Sequence, residues 1–153
     1  MNLNKTHWMA IGPAPVDTPG TALGHTVGRI DVAAPDPGNI DTMYIGGSGG
    51  GVWKTAVWTR SDPIWLAFTD DQPSINVAGY HSLVVHPAHH GTVFALVSGP
   101  GAGVLKSTDF GVAWKLIGND LFEGASLHSI AVHPTDVKVF YVGVYTAGTF
   151  CAA

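Results

Sequence analysis

A segment of fifteen residues occurs three times along this chain of 153 residues, and this repeat constrains the fold more than any other feature. The three copies are residues 30–44, 80–94 and 127–141. Each copy contains a β-rich run, a proline preceded by Asp or His, and an aromatic residue seven positions after that proline. The anchoring prolines, Pro37, Pro87 and Pro134, are 50 and 47 residues apart. A period of this size indicates a repeat architecture in which like units stack against their neighbours.

The first two copies continue alike after the shared segment. Residues 50–55 (Gly-Gly-Val-Trp-Lys-Thr) align with residues 102–107 (Ala-Gly-Val-Leu-Lys-Ser), and Trp65 or Trp114 then opens the last strand of each unit. The pattern predicts four short strands for each unit, separated by turns rich in Pro, Gly and Asp. A four-stranded antiparallel unit of about 40–50 residues is the blade of a β-propeller. We therefore predict an all-β fold, a partial β-propeller of about two and a half blades.

The composition agrees with strands that are buried on both faces. Charged residues make up 12% of the sequence, about half the usual share for a soluble protein, and hydrophobic residues make up 46%. This balance excludes intrinsic disorder, and no apolar run is long enough for a membrane helix. The seven Lys and Arg residues are scattered and the net charge is −4, which excludes a nucleic-acid interface. The glycine-rich loop at residues 46–51 lacks the Gly-Lys-Ser/Thr ending of a phosphate-binding loop, and we predict no cofactor.

Residues 107–114, Ser-Thr-Asp-Phe-Gly-Val-Ala-Trp, match the pattern Ser/Thr-x-Asp-x-Gly-x-x-Trp at every defined position. In a short hairpin loop, the side chains of Ser107 and Asp109 can accept hydrogen bonds from backbone N–H groups that have no other partner. Gly111 allows a positive φ angle, and Trp114 is expected to pack between blades. We therefore predict a structural role for these four residues.

With this motif inside the repeat, the chain resembles the Asp-box propellers, also called bacterial neuraminidase repeat proteins. That superfamily includes sialidases, xyloglucan-degrading glycoside hydrolases, sortilin-like receptors and a photosystem assembly factor. The resemblance implies a peripheral Asp-box turn, away from the central substrate face. It also implies a secreted or periplasmic protein, although the N-terminus has no signal-peptide pattern. The resemblance further implies that a strand at residues 8–13 closes the ring by completing the last blade. In the first copy, the box at residues 55–65 is three residues longer and lacks the Asp-x-Gly core.

The whole chain, residues 1–153, is predicted to be a single partial propeller. Its predicted parts are a closing strand at 1–20, a first blade at 21–78, a second blade with the Asp-box at 79–121 and a truncated third blade at 122–153. A ring needs about four to eight blades, so this length cannot form one alone. We expect the chain to be part of a larger propeller; the alternative is that several copies assemble into a ring. The apolar faces of the end blades predict self-association.

The number of charged residues argues against a complete active site in these blades. Sialidases of the superfamily bind the substrate carboxylate with three arginines, whereas this chain has only Arg29 and Arg60. A glycoside hydrolase needs two carboxylates across the scissile bond. In the xyloglucan-degrading relatives, the resemblance places one catalytic aspartate at the position of Ser48, and serine cannot act as a carboxylate base. Asp31 is therefore the single candidate catalytic residue.

Asp31, His81 and His128 occupy the same position of the repeat, at the start of the innermost strand. In adjacent blades, such side chains would be neighbours along the central channel and would form a ring for a ligand or a metal. The alternative is that the histidines are inherited with the repeat and cap strand ends, and on that basis we predict no metal. Together with Arg29 and Ser48, these residues are the predicted ligand-binding set.

The predicted function is that of a non-catalytic propeller segment from a secreted protein that binds carbohydrate or protein on the face of the ring. The alternative is a fragment of a sialidase-like or xyloglucanase-like glycoside hydrolase whose catalytic acids lie largely outside this chain. The two hypotheses differ in whether the chain turns over a glycoside, so the release of a reporter sugar separates them.

Overall fold

The computed structural model describes residues 16–17, 25–26, 29–77, 79, 81–145 and 150–152, which form thirteen β-strands and one short helix. Every named strand pairs with its neighbours in antiparallel orientation. In chain order the elements are β1 Val16–Asp17, β2 His25–Thr26, β3 Ile30–Pro35, β4 Met43–Gly47, β5 Gly51–Thr55, β6 Leu66–Ala67, β7 Leu83–Val85, β8 Val93–Val97, β9 Gly103–Ser107, β10 Lys115–Ile117, α1 Asn119–Phe122, β11 Leu127–Val132, β12 Phe140–Val144 and β13 Phe150–Ala152.

The strands form three successive sheets, each made from consecutive strands of the chain. The first sheet is β3-β4-β5-β6, the second is β7-β8-β9-β10, and the third is β11-β12-β13. The short strands β1 and β2 pair with each other. Helix α1 follows the second sheet, and its Phe122 is buried in the apolar cluster between the second and third sheets. Among the described residues, no helix is long and apolar enough to cross a membrane.

The same turn joins the first two strands of each sheet, which explains the shared proline segment. The backbone N–H of the residue before the proline donates to the carbonyl six positions further along the chain. The three pairs are Asp36 with Thr42 at 3.0 Å, His86 with Thr92 at 2.9 Å and His133 with Val139 at 2.9 Å. Proline fixes its own φ angle near the value that such turns need at their second position.

Two apolar layers hold the three sheets together, one on each face of the second sheet. Because successive side chains of a strand point to opposite faces, Val93, Ala95 and Val97 of β8 pack with the first sheet. Phe94 and Leu96 pack with the third sheet. All five side chains are buried, as the near-continuous apolar pattern predicted. Each large side chain buried in this way stabilises the fold by about 1.5–3 kcal/mol.

Two of the expected strand starts differ from the observed ones. Trp65 and Trp114 lie one residue before β6 and β10 instead of opening them. In the second sheet the reason is visible, since the backbone N–H of Ala113 donates to the Asp109 carboxylate at 2.9 Å and so belongs to the turn. Trp114 is partly buried and packs against the cluster between the first and second sheets.

The predicted closing strand at residues 8–13 lies outside the described residues. Within residues 1–20 the structure describes Val16–Asp17, which pairs with His25–Thr26. The closing strand and the blade boundaries proposed from the repeat remain predictions.

Candidate functional site

The candidate site lies at one end of the sheets, which we call the rim. In an antiparallel sheet, the start of the first strand and the loop between the second and third strands lie at the same end. The rim therefore contains the segments before β3, β7 and β11, the β4–β5 loop at residues 48–50 and the β8–β9 loop at residues 98–102. The Asp-box joins β9 to β10, so it lies at the opposite end.

Three of the predicted ligand residues form one hydrogen-bonded network at the rim. Oδ2 of Asp31 accepts from the Ser48 hydroxyl at 2.8 Å and from the Ser48 backbone N–H at 2.9 Å. Nε of Arg29 lies 2.6 Å from the other carboxylate oxygen, Oδ1. Nη2 of Arg29 donates to the Ser48 hydroxyl oxygen at 3.0 Å, which closes the network.

A β-bulge and a glycine place these side chains together. The pairing of β3 with β4 shifts register between Ile30 and Val32, so Asp31 is the extra residue of the bulge. Bulges re-aim a side chain out of the regular ladder, and here the carboxylate reaches the β4–β5 loop. Gly47 comes next to this loop, where a Cβ atom would lie 2.3 Å from the Arg29 carbonyl oxygen. Only glycine therefore allows this close approach of the two strands.

The network fixes the charge of Asp31. The hydrogen bond from the Ser48 hydroxyl lowers the pKa of Asp31, and Arg29 and the Ser48 backbone N–H act in the same direction. An ionised carboxylate with both oxygens occupied has no proton to donate, so it is poorly suited to general acid catalysis. The Arg29 side chain, in contrast, is 73% exposed while that of Asp31 is only 11% exposed.

A cavity of about 290 Å³ opens beside this network. Its lining consists of Arg29, Ile30 and Asp31 from the start of the first sheet and Gly79 from the segment before the second. A Cβ atom on Gly79 would lie 2.7 Å from the carbonyl oxygen of His128. The start of the third sheet therefore packs directly against the segment before the second sheet. The segments before β3, β7 and β11 thus lie next to one another.

The two histidines of the predicted ring are both exposed, and their strands are joined through the backbone. His81 forms an isolated bridge with Ser129, and its carbonyl accepts from the Ile130 N–H at 2.8 Å. Within the described part of the chain, no group of three or more His, Cys, Asp or Glu side chains is arranged to hold a metal ion. The structure therefore brings Asp31 together with Arg29 and Ser48 rather than with His81 and His128.

Two solved structures share the fold of this chain. A GH74 xyloglucanase from Xanthomonas campestris superimposes with a TM-score of 0.58 at 17% identity, over 75% of this chain and 20% of the enzyme. The GH74 enzyme of Niastella koreensis gives a TM-score of 0.59 at 19% identity, over 81% of this chain and 21% of that one. The fold is a partial β-propeller. No family model and no curated protein matches the sequence, and the chain spans about one fifth of the length of the two structures.

The turn at residues 107–114 is held together by hydrogen bonds among its own residues. The Ser107 hydroxyl oxygen accepts from the Gly111 N–H at 2.9 Å, and the hydroxyl donates to Asp109 at 2.7 Å. Gly111 has a φ angle of 91°, which favours glycine. The bond from the Ala113 N–H, followed by that from Ser107, lowers the pKa of Asp109. In the first blade, the Thr55 hydroxyl accepts only from the Val57 N–H in this turn, at 3.3 Å, which fits the degenerate motif.

The sequence did not reveal how the Asp-box connects two blades. The carbonyl oxygen of Phe110 accepts from the Tyr44 hydroxyl at 3.0 Å and from the Lys54 ammonium at 2.8 Å, and both donors belong to the first sheet. Burial raises the pKa of Tyr44 and lowers the pKa of Lys54. Phe110 itself has a φ angle of 61°, which is uncommon for a residue with a side chain. The sequence feature that pointed to Lys54 was its alignment with Lys106 in the repeat.

Asn76 is a second residue that the sequence did not single out. Its side-chain oxygen accepts from the Gly49 N–H at 3.3 Å, and its carbonyl accepts from the Ser98 N–H at 3.0 Å. One residue of the inter-blade segment therefore joins the rim loops of the first and second blades. No motif surrounds Asn76, so no sequence signal was available.

Proposed function

We propose that this chain is a non-catalytic segment of an Asp-box propeller and that it binds carbohydrate at its rim, around Arg29, Asp31 and Ser48. The observation that carries the proposal is the network in which both oxygens of Asp31 are occupied. This carboxylate orients Arg29 and Ser48 instead of reacting. Membership of the Asp-box superfamily is supported by the turn at residues 107–114, and a secreted or periplasmic location by the resemblance.

The exposed guanidinium of Arg29 supplies the recognition chemistry. Arginine has five N–H donors, and the network uses one on Nε and one on Nη2. Because Asp31 balances the charge, the site presents oriented donors with little net charge. Such donors suit the hydroxyl oxygens of a neutral sugar, next to a cavity of about 290 Å³. A protein ligand is the second class that the sequence analysis leaves open.

Calorimetric titration of the full chain with xyloglucan and cellulose oligosaccharides tests this function. We expect binding without release of sugar, and we expect Arg29→Ala to weaken binding about tenfold or more, since a hydrogen bond from a charged group contributes about 1.5–3 kcal/mol. The matched control is Arg60→Ala, because Arg60 lies in the β5–β6 loop at the opposite end. An equal loss in both variants, or no binding of either oligosaccharide, would contradict the proposal.

The likeness to two GH74 structures favours the alternative that the chain is a fragment of a glycoside hydrolase. A reporter glycoside distinguishes the two functions. Turnover by the chain that disappears in Asp31→Asn would replace the binding function with a catalytic one. Absence of turnover in the wild-type chain together with binding of an oligosaccharide supports the binding function.

A further inference from the structure

The residue before the repeat proline caps its own turn with a side-chain acceptor in all three sheets. In the first sheet, Oδ1 of Asp36 accepts from the Gly38 N–H at 2.8 Å. In the second, Nδ1 of His86 accepts from the Ala88 N–H at 3.2 Å. In the third, Nδ1 of His133 accepts from the N–H groups of Thr135 and Asp136 at 3.3 and 3.0 Å. A ring nitrogen accepts a hydrogen bond only while it carries no proton. The two histidine caps therefore require neutral rings protonated on Nε2, as the hydrogen-bond pattern assigns them.

His86 occupies the joint between the second and third sheets. Its side chain is completely buried, with 0% of the residue exposed. Nε2 is buried and makes no hydrogen bond of good geometry to any described residue, although backbone groups of Asp136 and His133 lie close enough to act on the ring. Burial is the main cause that lowers the pKa of His86, and the backbone carbonyl of Asp136, on the facing turn of the third sheet, acts in the opposite direction. The neutral ring is therefore the form that this position accommodates.

The charged and titratable groups around His86 come from both sides of the joint. The ring of His89, on the same turn, lies 5.1 Å away between centroids. The charge of His89 lowers the pKa of His86, whereas His133, which faces it from the third sheet, raises that pKa through a backbone hydrogen bond and lowers it through its charge. Lys106 of β9 reaches the facing turn of the third sheet, where its ammonium donates to the Val137 carbonyl at 3.4 Å. Among the described residues, no carboxylate forms an ion pair with His86.

We propose that the contact between the second and third sheets is a pH-dependent joint, which neutral His86 closes and protonated His86 opens. Protonation puts a hydrogen on Nδ1, which then faces the Ala88 N–H instead of accepting from it. The new charge also lies in a buried site, where it loses the hydration that it would have in water. The corresponding turn of the first sheet is capped by Asp36, which requires no neutral ring. This inference concerns the seam between blades and goes beyond the proposed function of the rim.

The direction of the effect follows from linkage. The ordinary pKa of histidine is about 6.5, and that of closed His86 is lower, so the opened joint binds a proton that the closed joint excludes. The contribution of His86 to closure is fully present above about pH 6.5 and is lost as the pH falls towards the lowered pKa. Between pH 7.5 and 5.5 the opening constant therefore rises by at most about tenfold, the limit set by the ordinary pKa of about 6.5.

Amide hydrogen exchange of the full chain at pH 7.5 and 5.5, corrected for intrinsic exchange rates, tests the joint. We expect opening constants in β11 and β12 to rise at the lower pH, by less than about tenfold, and those in β4 and β5 to stay constant. His86→Asn keeps an acceptor near the position of Nδ1 and removes the titration of His86, so its opening constants should depend on pH less than those of the wild-type chain. His90→Asn is the control, because His90 lies against Asp36 and Gly38 of the first sheet and should leave the response intact.

Equal opening constants at the two pH values in the wild-type chain would overturn the proposal, as would a wild-type response in His86→Asn. If that variant does not fold, the ring signals of His86 in the wild-type chain provide a second measurement. Nitrogen NMR should show the proton on Nε2 and a pKa below the ordinary value of about 6.5. A proton on Nδ1, or a pKa at or above that value, would also overturn the proposal.

Discussion

At the scale of single residues, Ser107 shows how a local motif determines a turn. Its hydroxyl oxygen accepts from the N–H groups of Gly111 and Asp109, at 2.9 and 3.3 Å, while the hydroxyl donates to the Asp109 carboxylate. All partners lie within four residues, so the spacing in the sequence is enough to predict them. Asp31 differs, since its position in the repeat was evident but its partner Ser48 is 17 residues away.

Ser107→Ala should therefore destabilise the chain by about 1–3 kcal/mol, because it leaves the buried N–H of Gly111 without its acceptor. Urea denaturation followed by tryptophan fluorescence measures the loss. Thr55→Ala is the matched control at the same position of the first blade, where the hydroxyl accepts a single longer bond from Val57. A loss in the control as large as that in Ser107→Ala would show that the Asp-box bonds contribute little.

At the scale of elements, the pairing of strands β9 and β10 places two like charges opposite each other. Lys106 and Lys115 are cross-strand partners, and like charges in that position destabilise a sheet. In the first sheet, the partner of Lys54 is Leu66 instead. The sequence predicted both strands and aligned Lys54 with Lys106, but it did not predict the register. Register depends on where the turn ends, and in both sheets the last strand begins one residue after the tryptophan.

Lys115→Glu should raise the free energy of unfolding by about 0.2–1 kcal/mol, because it converts a repulsive pair into an attractive one. The gain should shrink when the ionic strength is raised, since Lys115 is exposed. The inverse control is Leu66→Lys, which creates the like-charge pair in the first sheet and should destabilise it. Denaturation curves at low and high salt measure the free energies of unfolding. A lower value for Lys115→Glu than for the wild-type chain at low salt would contradict the prediction.

At the scale of the whole molecule, the three sheets are covered unequally. Tyr44 and Phe94 occupy one position of the repeat and are completely buried, since another sheet covers each of them. Tyr141 occupies the same position of the third sheet and is 47% exposed. The period of the repeat predicted which residues are equivalent, but how much a neighbouring sheet covers each one is a property of the stacked structure.

We expect copies of the chain to associate through the exposed face of the third sheet, which carries Tyr141. Light scattering of the chain should show a mass that rises with concentration, and Tyr141→Glu should shift the distribution towards the monomer, because it places a charge on the apolar face. Leu121→Glu is the control, as Leu121 is 71% exposed and lies on α1, outside the third sheet. A monomer at every concentration would rule out association, and a heterogeneous aggregate would rule out assembly of several copies into a closed ring.

The amino-acid sequence by itself determined the repeat, the all-β blades and the Asp-box turn, because each depends on strand alternation and on hydrogen bonds between residues close in the chain. The tertiary structure alone decided the rim network and the contacts between blades. Asp31 reaches Ser48 only through a bulge that shifts the register of β3 and β4. Tyr44 binds the carbonyl of Phe110, which is 66 residues away, only because two sheets stack. Contacts of this kind depend on how complete faces pack together, and no local pattern of residues specifies that packing.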